Sequence, residues 1–346
     1  MKGYGFKMEQ PYYNNTTPEH IAKALTGAKH ILLLCHRRPD GDTVGSAFGL
    51  KFMLENCLPC RVEVRCADPM PKRLEFLSGG LPFDEAPDCE PELVAAIDVA
   101  SLSMLGALRE ETEETIGIKL DHHIMGDPFG SLRYTDADAA ACGEIVYELC
   151  LLLEKETGTG MPQSTLDALY GAIVSDTGGF RYSNTTARTL RIAADLLERG
   201  ADAASVCHQL FESRSSGEVR AVRTAYALLH QQANGRIAVI NLTNADRTEN
   251  RLCEEDLGEL ASLPREIRGV EVGIFIRQNE QDPTRFKLSV RTGEGAAANE
   301  ICAAFGGGGH IRAAGAELSA RSPEEAEEKV LEVVRRVSPA LFGVSE

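Results

Sequence analysis

No stretch of this sequence stays apolar for long enough to span a lipid bilayer. The opening residues, Met1 to Phe6, lack the apolar core of a secretory signal peptide, and no repeat or low-complexity tract follows. The sequence therefore gives no indication of a membrane protein, an exported protein or a repeat architecture. We expect a protein of the cytoplasm that has no membrane partner.

An excess of basic residues is also missing. Lysine and arginine number 36 against 52 aspartates and glutamates, which gives a formal net charge of −16. Sequence-independent binding to long nucleic acids needs a basic surface, so the composition argues against a long duplex as partner. A small phosphorylated ligand needs only a few local Arg and Lys side chains. Part of the acidity can also belong to metal ligands, whose charge bound ions would cancel.

A second pair of cysteines that would complete a structural zinc site is missing as well. The ten cysteines include Cys57 and Cys60, whose spacing suits zinc or redox chemistry, but only Cys66 follows nearby. We interpret Cys57 and Cys60 as reduced thiols at a helix end, and the sequence leaves any further role open. Most of the other cysteines lie in apolar patterns, where a thiol packs as a small hydrophobic group.

Short apolar runs alternate with helical patterns over the first part of the chain. The predicted strands are His30–Cys35, Arg61–Arg65, Leu93–Asp98 and Ile116–Asp121, and the predicted helices are Glu19–Thr26, Val44–Asn56, Ala139–Lys155, Gln163–Ser175 and Thr186–Arg199. Buried strands that alternate with helices indicate an α/β fold with a doubly wound, mostly parallel sheet. With 346 residues, the chain is long enough for a second domain with its own core.

The segment Phe211–Gly217 breaks this alternation and precedes a long amphipathic stretch. We interpret residues 213–234 as a linker and connecting helix, so that one domain covers residues 1–212 and another covers residues 235–346. In the second domain, apolar runs predict strands at Arg236–Leu242, Val270–Gln278 and Phe286–Arg291. The second domain is therefore predicted to be a smaller α/β unit.

Polar side chains follow three of the predicted strands at the point where each strand ends. His36 and Asp40 follow the first strand, Asp98 ends the third, and Asp121 with His122 ends the fourth. In open α/β sheets, ligands bind outside the carboxyl ends of the strands. The sequence therefore predicts a site at this rim of the sheet.

Six residues form the candidate set of metal ligands: His36, Asp40, Asp42, Asp98, His122 and Asp176. The four carboxylates would be neutralised by two divalent cations, and without metal some of them would take up protons. Mixed imidazole and carboxylate ligation suits manganese better than magnesium, while zinc and iron stay open. Taken singly, the carboxylates have structural alternatives, since Asp40 and Asp42 stand where they could shape a turn or cap a helix that begins near Val44.

Five ordered motifs resemble those of one enzyme family. They are His36-x-x-x-Asp40-x-Asp42 with Gly45-Ser46, the lone Asp98, Asp121-His122-His123, Asp176-Thr177-Gly178, and Gly306-Gly307-Gly308-Gly309-His310. The first four are similar to the motifs of the DHH phosphoesterase family, and the last is similar to the glycine-rich motif of the DHH-associated C-terminal domain. The resemblance covers about residues 30–315. It is nearest to the nanoRNase subfamily, which cleaves short oligoribonucleotides and removes the 3′-phosphate from 3′-phosphoadenosine 5′-phosphate.

The resemblance implies two divalent metal ions, most often manganese, at an active site in the cleft between the two domains. One ion would be held by Asp42, Asp98, His122 and Asp176 and the other by His36, Asp40 and Asp98, so that Asp98 would bridge them. The pair would activate a water that attacks phosphorus. Asp121 would orient its neighbours, and His123 would stabilise charge on the scissile phosphate. A purely structural role for His123 in its loop stays open.

The resemblance further implies that the second domain binds the substrate. The residues concerned are Ser289, Arg291, Gly307, Gly308, Gly309 and His310, joined by Arg181 of the first domain. Because side chains alternate along a strand, Ser289 and Arg291 share one face with Lys287. A helix cap or a tight turn is the structural alternative for the glycines. A cleft between two domains would admit only a few nucleotides.

These features predict a metal-dependent phosphodiesterase and phosphatase that acts on short oligonucleotides and 3′-phosphorylated nucleotides. One alternative is a hydrolase for cyclic di-AMP or linear dinucleotides, which the motifs do not separate from the first interpretation. A second alternative is a nucleotide-binding module that has lost catalysis, and it is less well supported because all six ligands are present. Homodimers are common in the family, but the sequence gives no independent indication of one.

Overall fold

The computed structural model describes residues 14–86, 89–258 and 260–343, so residues 1–13 of the predicted first domain lie outside the described part. The chain divides between Ser213 and Arg214 into two compact units. The segment 213–234, which the sequence suggested as a connection, begins at this division, and its helix belongs to the second unit. No helix in the described residues is long and apolar enough to cross a membrane.

The first unit is built on one parallel sheet. Its strands are β1 (His30–Leu34), β2 (Arg61–Arg65), β3 (Leu93–Ile97), β4 (Ile116–Asp121) and β5 (Leu132–Thr135). Within the described residues the sheet has the order β2-β1-β3-β4-β5, and every neighbouring pair is parallel. The predicted doubly wound sheet is confirmed. The sequence missed β5, a short edge strand that is only half-buried and lacks an apolar run.

The core on one face of this sheet includes side chains of α1 (Pro18–Gly27), α2 (Gly41–Cys57), α4 (Cys142–Thr157), α5 (Gln163–Asp176), α6 (Ala187–Arg199) and α7 (Ala203–Cys207). The 3₁₀ helix Leu102–Leu108 packs on the other face and leads into the short helix α3 (Arg109–Thr112). The predicted helices are confirmed to within a few residues at their ends. The main core joins α2, α4 and α5 to the buried side chains of the central strands, and β1 is buried along its whole length.

Helix α2 begins at Gly41, earlier than the predicted start near Val44. The reason is the N-cap residue Asp40, whose Oδ1 accepts hydrogen bonds from the backbone N–H groups of Asp42 (3.0 Å) and Thr43 (3.1 Å). These bonds satisfy two of the amides that a helix start leaves without a partner, so the helix begins directly after the cap. Asp42 therefore lies in the first turn of α2.

Three glycines spaced four residues apart let α2 approach α5 closely. A Cβ at Gly41 would lie 2.3 Å from Ser175 Oγ, one at Gly45 would lie 2.4 Å from the Ala168 carbonyl oxygen, and one at Gly49 would lie 2.8 Å from a methyl carbon of Leu169. Residues four apart share one face of a helix, so the glycines form a continuous flat stripe. This stripe brings the first turn of α2 next to the last turn of α5.

The strand order places the predicted site at a defined position in the sheet. The chain runs from β1 outward to β2 and then returns to the other side of β1 with β3. Such a reversal leaves a crevice at the carboxyl ends of β1 and β3, where open α/β sheets bind ligands. His36 follows β1 and Asp98 follows β3, so both residues lie at this crevice.

The second unit is a mixed α/β layer structure. Its elements are α8 (Ser216–Leu228), β6 (His230–Gln232), β7 (Ile237–Leu242), α9 (Asn244–Asn250), β8 (Val272–Gln278), β9 (Arg285–Thr292), α10 (Ala298–Ala303), β10 (Gly308–His310), β11 (Ala313–Ser319) and α11 (Pro323–Val337). The sheet order in the described residues is β10-β11-β9-β8-β7-β6, with only β7 and β8 parallel. Helices α10 and α11 pack on one face and α8 on the other. The predicted smaller α/β unit is confirmed, with the additional strands β6, β10 and β11.

The glycine stripe leads to a stability prediction. Gly45→Ala places a methyl group against the Ala168 carbonyl oxygen and 2.9 Å from the Ala172 Cβ. We therefore expect overpacking to lower the free energy of unfolding by about 1–3 kcal/mol. Urea unfolding monitored by circular dichroism measures the change. Gly27→Ala is the matched control, because it also lies in a helix but a Cβ there meets no atom within 4 Å. Equal stability of the two variants would contradict the proposed role of the stripe.

Candidate metal centre and active site

The six predicted metal ligands lie together in the first unit. They form three overlapping groups in which the possible ligand atoms lie within 4.8 Å of one another: His36, Asp40 and Asp98; Asp42, His122 and Asp176; and Asp98, His122 and His123. Asp42 comes from the first turn of α2 and Asp176 from the last residue of α5, whose close approach the glycine stripe allows. The other ligands follow β1, β3 and β4.

Asp98 stands at the centre of the cluster. Its Oδ2 lies 3.5 Å from His36 Nε2, and its Oδ1 lies 3.5 Å from His122 Nε2. Among the described residues Oδ1 finds no hydrogen-bond partner, and the residue is only 2% exposed. The backbone of Asp98 is in the left-handed region with φ 60°, a conformation that Asp tolerates better than most residues. The two carboxylate oxygens thus face two different imidazoles.

Both imidazoles have one nitrogen against a backbone carbonyl and the other in the cluster. His36 Nδ1 lies 2.9 Å from the Arg37 carbonyl oxygen, and His122 Nδ1 lies 3.3 Å from that of Ala139. A proton on Nδ1 donates to these oxygens, which leaves Nε2 to face the carboxylates. Histidines that bind metals are commonly held in this way.

The carboxylate of Asp42 is held by the first amides of α4. Its Oδ2 accepts from the Cys142 N–H (2.7 Å), and its Oδ1 accepts from the Gly143 N–H (3.0 Å) and from Ser46 Oγ (3.0 Å). The positive end of a helix dipole and two amide donors favour the charged carboxylate. Sequence reasoning missed this support, since backbone amides leave no signature in residue types.

The cluster is electrostatically costly without metal. Burial and the neighbouring carboxylates of Asp98 and Asp176 raise the pKa of Asp42 well above its ordinary value. Burial, together with the charges of Asp98 and Asp40, raises the pKa of Asp176 to about 6. Burial alone would lower the pKa of His36, but Asp40 and Asp98 raise it to about 11. Protons thus replace missing positive charge, and this donor set of buried carboxylates and oriented imidazoles fits divalent cations.

His123 lies at the end of a chain of charged groups. Its Nδ1 is 2.8 Å from Asp121 Oδ1, and Asp121 Oδ2 is 3.3 Å from the Nζ of Lys119, which is buried. Burial would raise the pKa of Asp121, but the hydrogen bond with His123 and the nearby charges lower it. Burial would lower the pKa of His123, yet Asp121 and Asp98 raise it to about 9. Asp121 therefore stays charged between two cations.

Lys119 is a part of the site that the sequence analysis missed. Its Nζ donates to the carbonyl oxygens of Ala100 (2.9 Å) and Asp127 (3.0 Å) and lies 4.8 Å from the centroid of the Phe129 ring. It thereby ties the segment after Asp98 to the loop after His123. A charged residue inside an apolar strand was the available signal, because a buried lysine needs partners of this kind.

Arg181 lies on the turn that follows Asp176. Its Nε donates to the Gly178 carbonyl oxygen (2.5 Å), and its guanidinium carbon lies 5.8 Å from the centroid of the Phe211 ring. Nearby, the side-chain amide of Asn184 donates to the backbone carbonyl oxygens of Ala140 (3.0 Å) and Asp176 (3.2 Å). Asn184 thus connects the end of α5 to the segment before α4.

The predicted substrate residues of β9 lie in the second unit. Ser289 pairs with Gly315 of β11, and Arg291 pairs with Ala313 of β11. Burial alternates along β9, so Lys287, Ser289 and Arg291 share its less buried face. Lys287 Nζ lies 3.7 Å from a carboxylate oxygen of Glu254.

The glycine run is partly explained by strand packing. A Cβ at Gly307 would lie 2.2 Å from the Gly315 carbonyl oxygen, and one at Gly309 would lie 2.6 Å from that of Ala313. A Cβ at Gly308 would meet no atom of the described part of the chain within 4 Å, and His310, which ends the edge strand β10, is exposed. Gly307 and Gly309 therefore have a structural reason, close packing of β10 against β11, which differs from the helix cap or tight turn considered as the alternative. Within the described residues, Gly308 and His310 show no packing role of this kind.

Comparison with known proteins gives concordant results. The N-terminal domain of the DHH family matches residues 30–173, and the DHHA1 domain matches residues 218–338. A curated relative, the bifunctional oligoribonuclease and PAP phosphatase NrnA of Thermus thermophilus, is 31% identical over 317 residues, which cover 91% of each chain.

Solved structures share the fold. An exopolyphosphatase-related protein from Bacteroides fragilis superposes with a TM-score of 0.85 at 22% identity, covering 94% of this chain and 97% of that one. RecJ of Thermus thermophilus in complex with Mn²⁺ gives a TM-score of 0.55 at 16% identity, covering 95% of this chain and 55% of that one. The chain therefore belongs to the DHH phosphoesterase family and carries its DHHA1 domain.

Proposed function

We propose that this enzyme hydrolyses short oligonucleotides to mononucleotides and converts 3′-phosphoadenosine 5′-phosphate to AMP. The observation that carries the proposal is the placement of Asp98, whose two carboxylate oxygens face His36 and His122 in two separate groups of ligands. The Thermus relative, named as an oligoribonuclease and PAP phosphatase, supports the choice of substrates.

Two divalent metal ions, most suitably Mn²⁺, complete the site in this proposal. His36, Asp40 and Asp98 would hold one ion, and Asp42, Asp98, His122 and Asp176 would hold the other. When bound, the ions supply Lewis-acid stabilisation of the phosphoryl oxygens and lower the pKa of a bound water. The donor set and the orphaned Asp98 Oδ1 support two ions over one, and manganese is the ion in the RecJ structure.

The chain's own residues orient and stabilise the reacting phosphate. The side chain of His123 is 29% exposed, and its Nε2 is the nitrogen that does not contact Asp121. It would donate to an oxygen of the scissile phosphate as negative charge develops there. Asp121, held by Lys119, keeps the His123 ring in this orientation. The departing ribose oxygen would take up a proton from solvent water.

The second unit would bind the substrate's other phosphate. Arg291, with Ser289 beside it on β9, presents a guanidinium suited to two parallel hydrogen bonds. Gly308 and His310 would add a backbone amide and an imidazole, while Gly307 and Gly309 shape the strand that carries them. Arg181 would contribute from the first unit. The predicted interdomain cleft remains a prediction, as do the cytoplasmic location and a homodimer.

The direct test is turnover by purified protein with Mn²⁺, with a dinucleotide and 3′-phosphoadenosine 5′-phosphate as parallel substrates. We expect release of mononucleotide from the first and of phosphate from the second. Asp98→Asn should abolish both activities, because both groups of ligands lose a charged oxygen while Asn tolerates the backbone at φ 60°. Asp138→Asn, at an exposed turn, is the matched control. Turnover of cyclic di-AMP alone would favour the alternative hydrolase, and full activity of Asp98→Asn would refute the bridging role.

Loss of Arg291 should weaken substrate binding more than chemistry. Removing a charge-assisted hydrogen bond costs about 1.5–3 kcal/mol, so we expect Arg291→Ala to raise KM about 10- to 100-fold while kcat changes little. Arg285→Ala removes an arginine from the other end of the same strand, where it pairs with Glu317 at 2.6 Å, and serves as control. An unchanged KM for Arg291→Ala would reject the phosphate contact.

The proposed metal site also predicts a pH-dependent stability. The pKa of Asp176 in the folded protein is about 6, against about 4 in an unfolded chain. The folded state therefore binds this proton more tightly, and the stabilisation is lost as pH rises through 6. Without metal, Asp176→Asn should raise Tm at pH 7.5 by roughly 2–4 °C, about 1 kcal/mol after allowance for partial exposure.

At pH 4.5 this difference between Asp176→Asn and the wild type should nearly vanish. With saturating Mn²⁺ at pH 7.5 the order should reverse, because the wild type binds the ion more tightly and is stabilised by mass action. Differential scanning calorimetry with and without a chelator measures all three conditions. If Mn²⁺ shifts the Tm of both proteins equally, Asp176 is not a ligand.

A further inference from the structure

Tyr182 presents an aromatic ring at the turn that follows Asp176, and 59% of the residue is exposed. A Cβ at Gly178 would lie 2.4 Å from Cζ of this ring and 2.6 Å from both Cε1 and Cε2. All three nearest atoms are ring carbons and the hydroxyl oxygen is not among them, so the glycine packs against the face of the ring. One face is thus backed by protein, and the high exposure leaves the other face to solvent.

The backbone around this ring is fixed on both sides. The Tyr182 N–H donates to the Thr177 carbonyl oxygen (3.0 Å), and the Tyr182 carbonyl oxygen accepts from the Thr185 N–H (3.1 Å). Gly178 itself has φ +57°, and any side chain there would occupy the space of the ring. The Tyr182 hydroxyl makes no hydrogen bond within the described residues. Packing therefore occupies one face of the ring, and the hydroxyl has no partner among the described residues.

The ring lies within one nucleotide's length of the metal ligands. Gly178 follows Asp176 by two residues, a span of at most about 7 Å, and Asp176 Oδ2 lies 3.7 Å from His122 Nε2. In a nucleotide, one ribose separates the base from its phosphate. A nucleotide whose phosphate lies at the ligand cluster would therefore place its base near this turn.

We propose that Tyr182 is a stacking platform for the nucleobase that adjoins the scissile phosphate, an inference that rests on the proposed function. Its occupant is a flat, uncharged heteroaromatic ring, which an aromatic side chain with one free face binds by stacking. Stacking tolerates every base because each has a π-face. Tyr182 thus selects nucleotides over other phosphate esters without selecting a sequence.

The test compares two probes that differ only in the base, AMP and ribose 5-phosphate. Isothermal titration calorimetry on the full chain with Mn²⁺ measures both affinities. Tyr182→Leu should weaken AMP binding about 5- to 100-fold, which is the contribution of a base stacked on an aromatic ring. The affinity for ribose 5-phosphate should not change, because this probe has no base. Tyr182→Phe, which keeps the ring, should match the wild type. Tyr226→Leu removes another exposed ring, 48% exposed in the second unit, and should also match it.

Three outcomes would overturn the assignment. The first is equal affinity of the wild type for both probes, and the second is a Tyr182→Leu variant that still prefers AMP. The third is an equal loss of affinity for both probes in that variant, which would indicate a structural role. The binding measurement needs no turnover. A failure of the proposed hydrolysis would therefore show in the turnover experiment, while a failure of the stacking platform would show here.

Discussion

The repulsion between buried carboxylates is the constraint on which the first unit depends. Asp42 and Asp98 are almost fully buried, and Asp176 stands close enough that these groups raise one another's pKa. Such a cluster destabilises a fold unless positive charge is supplied. The protein supplies part of it through the α4 amides at Asp42 and the cationic Lys119 behind Asp121. Divalent ions at the proposed metal site would supply the rest.

Close helix packing makes this gathering possible. Gly41, Gly45 and Gly49 remove the side chains that would hold α2 away from α5, and the ends of these helices carry Asp42 and Asp176. The sheet contributes the remaining predicted ligands because its strand order reverses between β1 and β3. Stability and function are therefore coupled at the stripe: a change that separates the two helices also separates the ligands.

The sequence was sufficient to predict most strands and helices of the first unit, because buried parallel strands leave clear apolar runs. It was also sufficient to predict the six residues that gather at the sheet rim, because polar groups follow these runs. It was less informative wherever backbone groups make the contacts that hold the site. The support that the Cys142 and Gly143 amides give to Asp42, and the close contacts of Gly307 and Gly309, depend on backbone geometry rather than on residue type. Lys119 was overlooked, although a charged residue inside an apolar strand was a signal, because the backbone carbonyl groups that it binds leave no signature in residue types.

The central claim is that the cluster holds two metal ions and that Asp98 is shared between them. Equilibrium dialysis against Mn²⁺ at pH 7.5, followed by elemental analysis of the protein, measures the stoichiometry directly. The account predicts two ions per chain, accompanied by release of the proton that His36 holds at this pH. Saturation at one ion per chain, or binding without proton release, would contradict it.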